Sequence, residues 1–261
     1  MKIISICMMI LLFTGCSLLE TNNAGMKYAD SFKKVDNPEQ YISSEFNLAK
    51  AENKKLLFIL GGNWCHDSRG LAIKLDQTSL SRFIAEHYRL SLVDVGFLER
   101  GFEFTDKAKM ETYYATPTVL IFDPVSGEHL NKGDMHQWGS ADKIKQSVTN
   151  NYFKKYASEL AEEKEEASIS EQQRVYLNKL KEFTIAQEKR IKAAYKIVGP
   201  LLEQYKQGKK NKNFEPYWEA VANLRMSLPD DIAKLQKQIL AATDKELQSV
   251  SFPKYKSFPW E

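Results

Sequence analysis

Trp64-Cys65, followed at once by His66, Asp67 and Ser68, is the densest group of reactive side chains in the sequence. The apolar run Leu56 to Leu60 stops at Gly61-Gly62, and Leu71 and Leu75 stand four apart beyond it, so Cys65 falls where a strand hands over to a helix. A sulfur at a helix N-terminus meets unsatisfied N–H groups and the positive end of the helix dipole, which favour the nucleophilic thiolate. His66 adds positive charge when protonated, and Trp64 can shield one side of the sulfur. Asp67 is expected to be exposed and to complement the dipole. Ser68 stands where a second cysteine would make a redox pair, so a mixed disulfide on Cys65 has no internal thiol to release it. Cys65, His66 and Asp67 as neighbours on a helix point in different directions, so no metal site is expected. His87, His129 and His136 are scattered, and no glycine-rich loop cradles a phosphate, so no cofactor is called for. A cysteine hydrolase would also need a base and an orienting group, which the sequence does not locate.

The other cysteines sit at the start of the chain. Lys2 precedes an apolar run from Ile3 to Phe13, too short to span a bilayer but suited to a signal peptide. It ends in "LLFTGCS", which resembles the bacterial lipoprotein signal, with Phe13 a departure from the usual Leu. The resemblance implies cleavage before Cys16, acyl chains (palmitate among them) on that cysteine, and an extracytoplasmic, lipid-anchored protein. Ser17 rather than Asp then points to the outer membrane, facing the periplasm, of a Gram-negative cell. A plain secretory signal with an incidental cysteine is the alternative. Cys7 would leave with the signal and Cys16 carry lipid, so the mature protein would hold one thiol, Cys65, which cannot form a disulfide within its own chain.

Residues 1–15 are therefore read as signal peptide and 16–40, polar and without period, as a flexible tether. Residues 41–152 alternate helix and strand: a helix near "EFNLAKAENKK", the strand "LLFIL", the Cys65 helix, a helix over "LSRFIAEHY" and the strand "RLSLVDV". A helix over "TDKAKMETYY" follows, then a strand opened by Pro117 and, after the turn "DPVSGE", a returning arm "HLNKGD". Residues 153–261 are charged and helical. Ile144, Val148, Tyr152, Tyr156 and Leu160 form a four-residue stripe, Ser170 and Gln173 a capping box, and Gly199-Pro200 should kink or break the next helix. "EPYWEAVANLRM" reads as a separate helix from the one that Pro229 opens.

The strand "KKLLFIL" ending in "GNWC", with "ATPT" further along before a hairpin, resembles the thioredoxin superfamily, in particular its periplasmic branch, over residues 43 to about 150. The resemblance implies an α/β thioredoxin-like fold, a mixed sheet flanked by helices, followed here by an all-α domain. It also implies that Thr116–Pro117 is a cis bond placing backbone beside the sulfur to pair with an extended substrate. Cys65, Ser68 and Pro117 are thus the candidate catalytic positions, with Trp64, His66 and Thr116 as substrate-binding residues and Cys16 as the lipidation site. The family's buried acid, six residues before the first cysteine, is Ile59 here, a second departure from dithiol chemistry. The reading is monothiol–disulfide exchange through Cys65, isomerase-like or reducing small-thiol adducts, on a disulfide-containing or thiol-adduct protein substrate. The alternative is a non-catalytic binding or assembly module that holds an envelope partner with the groove beside Pro117 and the helical tail. A net charge of +3 with no clustered basic stripe gives no footprint for nucleic acid.

Overall fold

The structure is a computed structural model that describes residues 28, 31–158 and 169–261. The expected signal peptide, Cys16, nearly all of the tether to residue 30, and Leu160 lie outside the described residues. Among the described residues no helix is long and apolar enough to cross a membrane.

Strand β1 (Lys55–Gly61) is the centre of the molecule because it is apolar on both faces. Leu56, Phe58 and Leu60 enter one core and Leu57 and Ile59 the other, the alternation that a strand imposes. β1 pairs in parallel with β2 (Tyr88–Asp94), from Lys55 opposite Tyr88 to Gly61 opposite Asp94. It pairs antiparallel with β3 (Thr118–Phe122), from Leu60 opposite Thr118 to Leu56 opposite Phe122, giving the order β2-β1-β3. Helices α2 (His66–Leu75) and α3 (Thr78–His87) contribute to the Leu57/Ile59 core, and α1 (Pro38–Ala51) and α4 (Phe102–Lys107) to the other. This mixed sheet between helical layers is a thioredoxin-like α/β fold, and long helices follow it.

Both sheet edges are finished by single bridges. On the β2 side Lys33 bridges Val93, with Lys33 N–H donating to Leu92 O (3.1 Å) and Asp94 N–H to Lys33 O (2.9 Å). Phe32 beside it is buried, so the last residues of the expected tether are packed against the sheet rather than free. On the β3 side the expected returning arm reduces to a bridge between Phe122 and His129. The fully buried Asn131 side chain takes over the ladder there: it accepts from Ile121 N–H (2.8 Å) and donates to Val119 O (2.8 Å) and to the Tyr152 hydroxyl (2.6 Å).

The helix expected over "TDKAKMETYY" ends early. Lys109 turns to φ +61°, and Tyr113 and Tyr114 are drawn into the core instead. α5 (Gln146–Ser158) buries Tyr152, Phe153 and Tyr156 in the Leu57/Ile59 core, and the Phe153 carbonyl accepts the Tyr88 hydroxyl (2.6 Å). The α/β part therefore continues through residue 153 to the end of α5. Val148, expected on the same stripe, is exposed.

α6 (Glu171–Lys206) starts at the expected capping box, Ser170 Oγ accepting from Gln173 N–H and Gln173 Oε1 from Ser170 N–H. It is neither broken nor ended at Gly199-Pro200. Ile191, Ala194, Tyr195, Val198 and Leu202 are buried in the same core as Phe58 and Leu60, and that burial outweighs the proline penalty of about 3 kcal/mol. α7 (Phe214–Ala241) likewise runs through Pro229, where two helices were expected. The short α8 (Asp244–Leu247) follows it. The helical region shares its main core with the α/β part.

Candidate active site

Cys65 is held by a turn that three side chains pin in place. The chain leaves β1 through Gly61, where a Cβ would lie 2.6 Å from the Phe32 ring and 2.7 Å from Ser68 Oγ, so only glycine fits. Asn63 pairs both ways with the Phe32 backbone, accepting from its N–H and donating to its carbonyl (3.2 Å each). Arg69 Nη1 donates to the Asn63 carbonyl (2.6 Å), and Trp64 Nε1 donates to Gly96 O (2.6 Å) while its ring stacks on Phe97. Cys65 N–H then donates to Gly62 O, and Cys65 becomes the extended N-cap residue of α2.

The Cys65 sulfur faces the loop before β3. Its S–H donates to the Thr116 carbonyl (3.2 Å), and the Thr116 hydroxyl donates to the sulfur (3.4 Å). The Thr116–Pro117 bond is cis, as the resemblance implies, and Pro117 is buried. The sulfur is thus the donor in one contact and the acceptor in the other. Cys65 is 7% exposed, and the opening leads into a cleft of about 670 Å³.

Ser68 does not face that cleft. It is fully buried, and its Oγ accepts from Gly62 N–H (3.3 Å), so it braces the turn from beneath. Ile59 is buried in apolar core and places no acid under the sulfur. Trp64, His66 and Thr116 line the cleft with Cys65.

Asp67 departs from expectation because it is buried rather than exposed. The loop at Asp142 folds over it: Asp142 N–H donates to Asp67 Oδ1 (3.2 Å), and Gly70 permits the approach, since a Cβ there would lie 2.9 Å from Asp142 Cα. Burial pushes the Asp67 carboxyl up, and its hydrogen bond with the Asp142 carboxyl raises it further. Asp142 is lowered by the same hydrogen bond, so the shared proton resides on the buried partner. His66 Nε2 lies 3.1 Å from Asp67 and 3.8 Å from Asp142, with the ligand atoms of all three residues within 4.8 Å of one another. Neighbours in sequence do converge here, because Asp142 gathers them. His87, His129 and His136 stay apart from this group, His129 buried against Phe122 and held by desolvation at about 4.

The far wall of the cleft was not legible in the sequence. It comes from α6 and α7: Leu202, Tyr205 and Lys206 on the first, Phe214, Trp218 and Arg225 on the second. They lie more than a hundred residues from Cys65, and no local motif marks them as facing it.

No protein-family model matches the chain, and no curated protein matches it. Among solved structures, the chain is similar to a disulphide isomerase from Xylella fastidiosa Temecula1, at 22% identity. The match covers 48% of this chain and 94% of that one, with a TM-score of 0.40. The thioredoxin-like fold is carried by the chain's own mixed sheet, in the order β2-β1-β3, between helical layers.

Proposed function

We propose that this protein carries out monothiol–disulfide exchange through Cys65 and is held at an extracytoplasmic membrane surface by acyl chains on Cys16. The carrying observation is the Cys65 sulfur at the N-cap of α2, against Thr116 and open to a cleft. The Cys65 thiolate attacks one sulfur of a disulfide R–S–S–R′. A Cys65–S–S–R bond forms, the S–S bond of the substrate breaks, and R′–S⁻ leaves and takes a proton from water. An external thiol R″–SH, as its thiolate, then attacks the R sulfur, giving R–S–S–R″ and restoring Cys65. Each step exchanges one S–S bond for another, so no separate oxidant is needed. Ser68 has no part in resolution: a hydroxyl cannot form the disulfide, and it is buried beneath the turn.

The second reading, a non-catalytic binding module, is favoured by the small exposure of Cys65 and by the thiol's hydrogen bond to the Thr116 carbonyl. The two readings separate on the pH dependence of Cys65 alkylation and on mass spectrometry after exposure to glutathione disulfide. Exchange requires an adduct that is absent in Cys65→Ser and is discharged by added thiol. A Cys65 that stays unmodified where free cysteine reacts would favour the binding module. Anchoring is tested by Cys16→Ser, which should leave a non-acylated protein off the membrane once its signal segment is removed.

A further inference from the structure

The cleft beside Cys65 contains a cation that the fold does not neutralise. Arg225 of α7 is half-buried, and its guanidinium carbon lies 4.6 Å from the centre of the Trp218 ring. Among the described residues no carboxylate comes within ion-pair distance of it, and its Nη1 is buried with no hydrogen-bond partner. Elsewhere the guanidinium meets the Tyr195 hydroxyl, which burial keeps protonated and therefore neutral, so this hydrogen bond leaves the charge uncompensated. A half-buried guanidinium is costly unless an anion completes it, and its planar fork suits a carboxylate. Lys206 stands at the rim with its ammonium over the Trp64 ring (5.7 Å). Of the acids in the same lining, Asp67 is engaged with Asp142 and His66, and Glu215 and Glu219 are solvated. The cleft volume of about 670 Å³ lies in the range that encloses small ligands.

We propose that Arg225 is the anion-recognition residue of this cleft, and that the disulfide which exchanges with Cys65 is a small molecule bearing a carboxylate. This rests on the exchange reading above but adds its substrate class and gives the appended helices a role in the site. The carboxylate would bind the guanidinium of Arg225 where it lines the cleft, with the apolar part of the ligand against Trp218 and Trp64, which presents the disulfide to the sulfur.

The test compares two alkyl disulfides, glutathione disulfide (with carboxylates) and 2-hydroxyethyl disulfide (neutral), in wild type, Arg225→Gln, Arg225→Lys and the rim variant Lys206→Gln. The rate of Cys65 adduct formation is followed by mass spectrometry, and circular dichroism checks that each variant is folded. Arg225→Gln should slow the reaction with glutathione disulfide about tenfold more than the reaction with the neutral disulfide, the loss of one charge-assisted contact. Arg225→Lys should recover part of that difference, and Lys206→Gln should show a smaller one. An equal effect on both disulfides, with Cys65 still reactive, would overturn the anion role while leaving exchange intact. A disulfide-bonded protein that reacts faster than either probe would overturn the small-molecule class. If neither probe reacts, the exchange reading fails, and the anion site is judged by titrating tryptophan fluorescence with S-methylglutathione. Saturable binding that Arg225→Gln abolishes would support the site, and no binding in wild type would overturn it.

Discussion

Gly199→Ala tests whether the helical region and the turn after β2, on which Trp64 rests, form one unit. A Cβ at residue 199 would lie 2.3 Å from the Phe97 carbonyl oxygen, against ordinary contact beyond about 3.2 Å, so helix or turn must move by about 1 Å. The turn has little freedom. Leu98 N–H and Arg100 N–H both donate to Val95 O, Val95 N–H donates to Gly61 O, and Leu98 is fully buried at φ +78°. α6 is held on that same face by Tyr195, Val198 and Leu202, which with Ala194 are buried in the core. Overpacking of this kind costs about 1–3 kcal/mol, and more where backbone rather than a side-chain tip must give. Alanine returns about 1 kcal/mol of helix propensity. The expected net loss is about 1–2 kcal/mol, or several degrees in Tm, read by urea and thermal unfolding. Because Trp64 is bonded to Gly96 and stacked on Phe97, the variant should also change tryptophan fluorescence and the rate of Cys65 alkylation. Gly133→Ala, whose Cβ meets nothing within 4 Å, is the control and should stay within about 0.5 kcal/mol. A Gly199→Ala protein as stable as wild type, with unchanged fluorescence, would refute the claim that this close approach seats α6 on the turn.

Polar groups at three buried or half-buried positions give further expected outcomes. Asn131→Ala leaves Ile121 N–H and Val119 O without their partner at a buried sheet edge, and should cost about 3 kcal/mol or more in chemical unfolding. Burial works against the Asp123 carboxylate, but Lys55 and the Ser126 and Val125 amides outweigh it and hold the group at about 2. That stabilisation is present above the ordinary 3.8 and is lost as pH falls through about 2, so Asp123→Asn should flatten the acid side of a Tm-versus-pH curve. Glu188 shows the opposite sign: burial raises it above 4.5 despite hydrogen bonds from the Tyr114 hydroxyl and Glu111 N–H. The fold then binds its proton more tightly than the unfolded chain does, so its contribution declines as pH rises above 4.5, and Glu188→Gln should remove that decline.

What could be read ahead of the structure was what depends on near neighbours. The double-faced apolar run of β1, the glycines before Cys65, the proline opening β3 and the Ser170 capping box are all set by residues within a few positions of one another. What could not be read depends on distant chain. Asp67 looked solvent-facing because Asp142, which covers it, is 75 residues away. Pro200 and Pro229 carry a real local cost, yet each helix continues because a tertiary face longer than one turn holds it. The hairpin arm is cut short after Leu130, where one amide side chain takes over the pairing, a change that strand periodicity cannot register.

The helical region lines the cleft at Cys65 as well as completing the core. A thiol that lacks an internal resolving partner depends on whatever the surrounding walls bring to it, and one wall of this cleft is α6 and α7. The same α6 buries Glu188 against Tyr114 and brings Gly199 against the turn that seats Trp64, so its position is coupled to both loops that flank the sulfur. Ser68 and Ile59 are buried and contribute no acid or second thiol. Under the proposed exchange, selectivity at Cys65 comes from binding rather than from an internal redox pair, and the proposed place for that binding is the uncompensated charge of Arg225.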